Sequence, residues 1–201
     1  MRSSRLEAFS DGVLAIIITI MVLELKLPER GAHTFHDFFS ATGLSLLTYL
    51  LSFIYIGIYW NNHHHMFQIV DRVNGAVLWA NLHLLFWLSL YPLTTNWLAE
   101  TDVARDPAIL YGINLLGAGV AYFILQTVII RQPTGQSLKE AVGSDLKGKM
   151  SPILYICGIA LSFVQPWLGL VPAIIVAGTW LIPDRRLERW IVENRPTQRA
   201  R

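Results

Sequence analysis

The stretch RLEAFSDGVLAIIITIMVLELKLPE, residues 5–29, is an apolar run long enough to cross a membrane, yet the acidic residue Asp11 stands near its start. A carboxylate at the head of a helix in hydrocarbon is costly, so we expect other polar groups to pair with it. Ser10 and Asp11 could also cap a helix that continues from Gly12, because their side-chain oxygens accept unpaired backbone N–H groups. The stretch therefore predicts a membrane helix whose polar start needs partners.

The composition is that of an integral membrane protein. The 201 residues are 53% hydrophobic and 15% charged, with a mean hydropathy of +0.44, whereas soluble domains carry about 25% charged residues. The first run contains Asp11, Glu24 and Lys26 and no small-residue cleavage site follows it, so we interpret it as a mature helix and not as a signal peptide. The single cysteine, Cys157, excludes an intrachain disulfide.

Apolar segments of about 20 residues predict an all-α fold with six transmembrane helices. These spans are predicted near residues 8–27, 43–67, 74–98, 107–130, 150–165 and 168–183. They form one transmembrane unit over residues 1–183, and residues 184–201 form a basic tail. Most of the 16 basic residues fall on the side that holds both termini, so the positive-inside rule places the termini in the cytoplasm. We expect the tail to contact anionic membrane lipids and no nucleic acid.

Further polar residues are predicted at the same depth as Asp11. The second span ends with the run from Trp60 to His65, and the third span carries Asn81 near its start. Because alternating spans bring these ends to the same side, we predict a buried cluster whose members satisfy one another. The cluster and the residues beside it are Arg5, Phe9, Ser10, Asp11, Gly12, Trp60, His64, His65 and Asn81. The sequence leaves open which of the three consecutive histidines joins the cluster.

The three consecutive histidines do not predict a metal site. Neighbouring side chains on a helix point about 100° apart, so His63, His64 and His65 cannot converge on one ion. No pair within the run has the i, i+4 spacing either. A structural hydrogen-bonded role is favoured, and we expect neither a metal nor another cofactor.

The first span resembles the signature helix of the transmembrane protein 175 family of potassium channels. It fits the pattern Arg-x-x-x-Phe-Ser-Asp-Gly at Arg5, Phe9, Ser10, Asp11 and Gly12. The stretches YWNNHHHMF (59–67) and NLHLLFWLSLYPLT (81–94) are similar to companion motifs of the family. The resemblance is strong over the first half of the chain and rests on span count in the second. It implies a moderately selective, potassium-permeable cation channel in the plasma membrane.

The resemblance also implies how the pore is built. In the family, the first helix of each subunit lines a central pore with layers of apolar side chains. These layers map to Ile16, Thr19, Ile20 and Leu23, with Glu24 at the outer mouth. Ile16, Ile20 and Leu23 do share one helix face, although by itself such a stripe is more often a packing or lipid-facing surface. No TVGYG-type loop and no arginine-rich voltage sensor occurs in the sequence.

Assembly follows from the number of signature motifs. The Phe-Ser-Asp-Gly motif occurs once, so one chain would supply one pore helix, and the resemblance implies a homotetramer.

Two other classes of function remain. A proton-coupled secondary transporter would use Asp11 and the histidines as a titrating relay, but neither broken helices nor an inverted repeat is found. A membrane enzyme or metalloprotein would need ligands at suitable spacing, and we expect no enzymatic activity. The transporter is the alternative.

Overall fold

The computed structural model describes residues 1–28, 33–70, 72–132, 135–143 and 145–181. Within these ranges the fold is all-α, apart from one isolated β-bridge. The helices are α1 (Ser3–Leu23), α2 (Phe35–Ile69), α3 (Gly75–Ser89), α4 (Tyr91–Glu100), α5 (Arg105–Ile130), α6 (Gln136–Val142), α7 (Leu146–Val164) and α8 (Pro166–Leu181). The predicted basic tail, 184–201, lies outside the described residues.

Four segments in the described part of the chain are long and apolar enough to cross a membrane. They are Ser3–Leu23, Phe35–Ile69, Gly75–Glu100 and Arg105–Ile130. In addition, α7 has 19 residues and α8 is a shorter apolar helix of 16 residues. The chain is therefore a multi-pass helical membrane protein, and a total of six spans stays a prediction.

The third apolar segment is divided into two helices. α3 ends at Ser89, and α4 begins at Tyr91 with a proline in its first turn. Pro92 has no backbone N–H, so it cannot donate to the carbonyl of Leu88 four residues earlier. The ladder of hydrogen bonds is therefore interrupted at Leu90, where the sequence pattern alone predicts one continuous span.

The last two helices form a tight hairpin. Only Gln165 separates the end of α7 from Pro166 at the start of α8, and proline is favoured at a first helical position because its missing N–H would be unpaired there. A Cβ atom at Gly158 would lie 2.7 Å from the carbonyl oxygen of Gly169, so only glycine permits this close approach. The hairpin also packs on α5, at the centre of the bundle.

The N-terminus is fastened to the connection between α2 and α3. The amino group of Met1 donates to the Val73 carbonyl at 3.0 Å, and the Val73 N–H donates to the Met1 carbonyl at 3.0 Å. Arg2 and Arg72 form the isolated antiparallel bridge beside this pair. The start of α1 is thus held at the same level as the end of α2 and the start of α3.

One face of α1 packs against α2, α3 and α4. Its buried residues are Ser3, Leu6, Ser10, Leu14, Ile17 and Met21, which follow one another at intervals of three or four and so share a single stripe. Residues on the opposite face are exposed, and no other described helix buries them. This two-sided division of α1 sets the position of every predicted pore residue.

Candidate functional site

A chain of buried hydrogen bonds joins the first three helices near their common end. The Asn81 side-chain amide of α3 donates to the Ser10 hydroxyl of α1 at 2.9 Å, and its carbonyl oxygen lies 2.8 Å from Nε2 of His63 on α2. The Ser10 hydroxyl in turn donates to the Leu6 carbonyl at 2.9 Å. Ser10, His63 and Asn81 are each at most 1% exposed. This arrangement holds the start of α1 against α2 and α3.

The direction of these hydrogen bonds fixes which ring nitrogen of His63 carries a proton. Because the carbonyl oxygen of Asn81 can only accept, Nε2 of His63 must carry the proton and donate. In the neutral ring, Nδ1 is then an acceptor, and it is buried without a partner among the described residues. His63 therefore serves as a structural donor in this position.

A second group of polar contacts lies beside the first, nearer the surface. The Trp60 indole N–H donates to the Asp11 carboxylate at 3.1 Å. His64 stacks on the Trp60 ring with an interplanar angle of 15°. Nδ1 of His64 lies 2.6 Å from a carboxylate oxygen of Glu7, and the Gln68 amide lies 2.6 Å from Nε2. The contact with Trp60 offsets part of the cost of placing Asp11 at the head of α1.

The structure brings together most of the predicted cluster. Ser10, Asp11, Trp60, His64 and Asn81 all take part in these hydrogen bonds. His65 is half-buried, and its ring centroid lies 6.0 Å from that of His64. Sequence reasoning did not place Glu7 and Gln68 in the cluster, and His63, which bonds to Asn81, is one of the three histidines among which the sequence did not decide. Glu7 precedes Asp11 by four residues and Gln68 follows His64 by four, so i, i+4 spacing was the available signal.

Three residues of the signature lie outside the cluster. Arg5 is exposed and forms no hydrogen bond or ion pair with a described residue, and Phe9 and Gly12 are exposed as well. The reason is the helical repeat. Arg5, Phe9 and Gly12 lie on the uncovered stripe of α1, whereas Ser10 and Leu14 lie on the packed stripe.

The predicted pore layers lie on the uncovered face of α1. The exposed fraction is 59% for Ile16, 42% for Ile20 and 81% for Leu23, while Ile17 on the packed face is only 4% exposed. Thr19 is exposed on the same side, and its hydroxyl donates to the Ile16 carbonyl at 2.8 Å. The hydroxyl oxygen is thereby left with lone pairs that point away from the helix backbone.

Charged residues close the far end of α1. Glu24 is the exposed C-cap residue of α1. Lys26 forms an ion pair with Glu100 at the end of α4, with 3.5 Å between nitrogen and oxygen. The lysine is therefore engaged with another helix and does not pair with Glu24. Over the described ranges, no group of three or more His, Cys, Asp or Glu side chains could hold a metal ion.

Comparisons with known proteins identify relatives of this chain. The family model described as endosomal/lysosomal potassium channel TMEM175 matches residues 5–92. A potassium channel of a Chryseobacterium species is 52% identical over 197 residues, which is 96% of this chain and 100% of the relative. The human endosomal/lysosomal proton channel TMEM175 is 32% identical over 112 residues, which is 51% of this chain and 22% of the human protein.

A solved structure has the same fold. The crystal structure of a lysosomal potassium-selective channel TMEM175 homologue from Chamaesiphon minutus matches with a TM-score of 0.74 and 30% sequence identity. The match covers 90% of this chain and 96% of the other chain. The similarity therefore extends beyond the motif in the first helix to the later helices, where the sequence carries no signature.

Proposed function

This chain belongs to the TMEM175 family as a prokaryotic member, and on that premise we propose that it forms a potassium-permeable, moderately selective cation channel. The family is a family of ion channels and not of enzymes. The strongest support is the relative named as a potassium channel, which is 52% identical and matched over its whole length. In this proposal potassium is the permeant ion and no cofactor is needed.

The pore is formed by the uncovered face of α1. One stripe of α1 packs inside its own subunit, and the opposite stripe carries Ile16, Ile20 and Leu23. Small or polar residues, Gly12 and Thr19, lie on that same stripe, which suits a narrow aqueous path better than a uniformly lipid-facing surface. Four such helices around an axis make a closed passage, so the channel is a homotetramer in contact with membrane lipids.

The constriction works by excluding water. Rings of isoleucine and leucine side chains form an apolar neck, and a small inward shift of α1 empties it of water and closes it. Opening requires only enough widening to admit a partly hydrated cation. Potassium sheds water more readily than sodium, so it passes more easily, and selectivity is moderate because no ring of backbone carbonyls replaces the lost water.

Two polar groups assist the passage. The Thr19 oxygen, whose hydroxyl hydrogen is directed at the Ile16 carbonyl, offers lone pairs to an ion within the neck. Glu24 at the end of α1 raises the local cation concentration at the outer mouth, and the ion pair of Lys26 with Glu100 leaves its charge uncompensated by that lysine. The polar cluster at the other end holds α1 in its orientation.

The topology of the proposal is six spans with both termini in the cytoplasm of the plasma membrane. α7 and α8 supply the fifth and sixth spans, and the basic residues at the N-terminal side supply the orientation. The cluster of Ser10, Asp11 and Asn81 then faces the cytoplasm, and Glu24 faces outward. Addition of cysteines at either end and labelling with an impermeant reagent tests this orientation.

The function is tested by potassium and sodium flux through the purified protein in liposomes. If the protein is a channel, the flux rises with the ion gradient without saturating, and the potassium flux is larger than the sodium flux. A proton-coupled transporter, the alternative, would give a saturating flux that follows an imposed pH gradient. Absence of potassium flux from intact oligomers would exclude the channel.

A further inference from the structure

A cavity lies between α2, α5, α7 and α8, and no residue of α1 is among its described lining. It lies toward the end of the bundle where α7 begins, since Asp145 and Gly148 form part of its wall. Its other walls are largely aromatic and include Tyr59, Tyr122 and Trp180. Neither the polar cluster nor the proposed pore uses this space.

The cavity has the size of one compact group. The centre of a water molecule can move through about 40 Å³ of it. If water's own radius of ~1.4 Å is added, a space of this size holds a rounded group roughly 3.5 Å in radius. A trimethylammonium or tert-butyl group fits such a space, and a drug-sized molecule does not.

The aromatic walls favour a positive charge. The faces of tyrosine and tryptophan rings carry negative potential and attract ammonium groups. Tyr59 and Tyr122 pack with 6.0 Å between their ring centroids, which fixes this part of the wall. The ammonium of Lys147, which is not part of the lining, already lies 5.9 Å from the centroid of the Trp180 ring. The protein thus places one of its own cations against this aromatic group.

A carboxylate without a cationic partner completes the site. The two oxygens of Asp145 accept from the Gln126 amide at 3.1 Å and from the Gly148 N–H at 3.0 Å, and both donors are neutral. Asp145 forms no ion pair with any lysine, arginine or histidine in the part of the chain that the structure describes. A half-buried negative charge beside an aromatic cavity is relieved by a cation that enters the cavity.

We propose that this cavity binds a small alkylammonium cation, with its alkyl groups against the aromatic rings and its charge toward Asp145. The carbon-rich wall disfavours a bare metal ion, which requires several oxygen ligands. The carboxylate disfavours anions. The site is separate from the proposed conduction path, so its occupancy is measured without reference to ion flux.

The test is calorimetric titration of the purified full-length protein, in a buffer without organic amines, with choline and with its neutral isostere 3,3-dimethyl-1-butanol. Choline binds at least about tenfold more tightly than the alcohol, because only choline gains from the rings and the carboxylate. Equal affinity for the two compounds, or no binding of choline, overturns the proposal. This comparison uses the wild-type chain and depends on no variant.

The Asp145→Asn variant tests how much the negative charge of Asp145 contributes to choline binding. Asparagine caps a helix as well as aspartate does, because its side-chain oxygen still accepts from the Gly148 N–H. Its NH2 group donates to the side-chain oxygen of Gln126 once that amide turns, so the start of α7 is retained. Choline affinity falls about tenfold and the affinity for the neutral alcohol stays the same. Asp106→Asn, at an exposed acid near the opposite end of α5, is the matched control and leaves both affinities unchanged. Equal choline affinity in Asp145→Asn and wild type contradicts the site.

Free alkylammonium cations and the phosphatidylethanolamine headgroups of a membrane both contain an ammonium group. Choline affinity is therefore compared in nanodiscs made of phosphatidylethanolamine and of phosphatidylglycerol, at an ionic strength high enough to screen the anionic phosphatidylglycerol surface, which would otherwise concentrate choline. A weaker apparent affinity in the first identifies the headgroup as the natural occupant, since it competes with choline. Equal affinity in both identifies a free cation as the occupant.

Discussion

Replacement of Asn81 by alanine is predicted to be among the most destabilising polar substitutions in the bundle. The side chain is fully buried and makes two hydrogen bonds, one to Ser10 on α1 and one to His63 on α2. Alanine removes both bonds and leaves the Nε2 proton of His63 buried with no acceptor. Ser10 keeps its bond to the Leu6 carbonyl, so the histidine carries most of the loss.

The magnitude follows from these contacts. Hydrogen bonds between membrane helices contribute about 0.6 kcal/mol on average and up to ~1.7 kcal/mol. A buried donor left without an acceptor costs about 1–3 kcal/mol more. We therefore expect Asn81→Ala to lower the free energy of unfolding by roughly 2–4 kcal/mol. Reversible unfolding in mixed detergent micelles measures this difference.

The matched control is His83→Ala on the same helix. His83 is exposed and accepts only from Trp87 within α3, so its replacement should change the free energy of unfolding by less than about 0.5 kcal/mol. A double-mutant cycle with Ser10→Ala isolates the bond between α1 and α3. If Asn81→Ala loses no more stability than His83→Ala, the buried hydrogen-bond chain does not hold the bundle as described.

Three further changes are predicted to act on conduction or assembly. Thr19→Val, which keeps the shape and removes the hydroxyl, alters the potassium to sodium ratio in bi-ionic recordings without changing expression; a constant ratio removes Thr19 from the path. Glu24→Gln lowers conductance at low salt and has little effect at high salt, where surface charge is screened, and a salt-independent loss contradicts the mouth position. Trp60→Phe removes the donor to Asp11 and lowers the oligomer yield in size-exclusion chromatography, whereas unchanged yield shows that the contact is dispensable.

The sequence predicts well on which side of the membrane the polar cluster lies, because the alternating direction of successive spans determines it. Residues at the start of α1, the end of α2 and the start of α3 must lie on one side of the membrane once the spans are assigned. Asp11 and Asn81 could therefore be placed together without a structure. Trp60 is predicted near Asp11 for the same reason, since the end of the second span and the start of the first lie on the same side of the membrane.

The direction in which each side chain points could not be predicted in the same way. His63, His64 and His65 differ by about 100° each around the helix, and only the packing of α2 on α1 and α3 decides that His63 meets Asn81. The direction of the Arg5 side chain could not be predicted either, because Arg5 belongs to the exposed stripe of α1. A nearly all-apolar helix does not reveal which stripe is packed.

The aromatic cavity is beyond sequence reasoning for a different reason. Its lining residues come from four helices and extend from Tyr55 to Trp180 along the chain, and Tyr59, Tyr122 and Trp180 follow no common motif. Asp145 also looks like an ordinary helix cap, which it is. Only the packing of α5 against the hairpin of α7 and α8 brings the carboxylate to the edge of the aromatic walls.

The proposed channel depends most on the position of Ile16 at an apolar neck of the pore. The direct measurement is potassium flux in liposomes for Ile16→Asn beside Ile174→Asn, an equally exposed isoleucine on α8 at 57% exposure. A polar side chain keeps an apolar neck hydrated, so Ile16→Asn should enlarge the flux while Ile174→Asn leaves it at the wild-type level. Unchanged flux in Ile16→Asn, with intact oligomers, would contradict the assignment of the uncovered face of α1 to the pore.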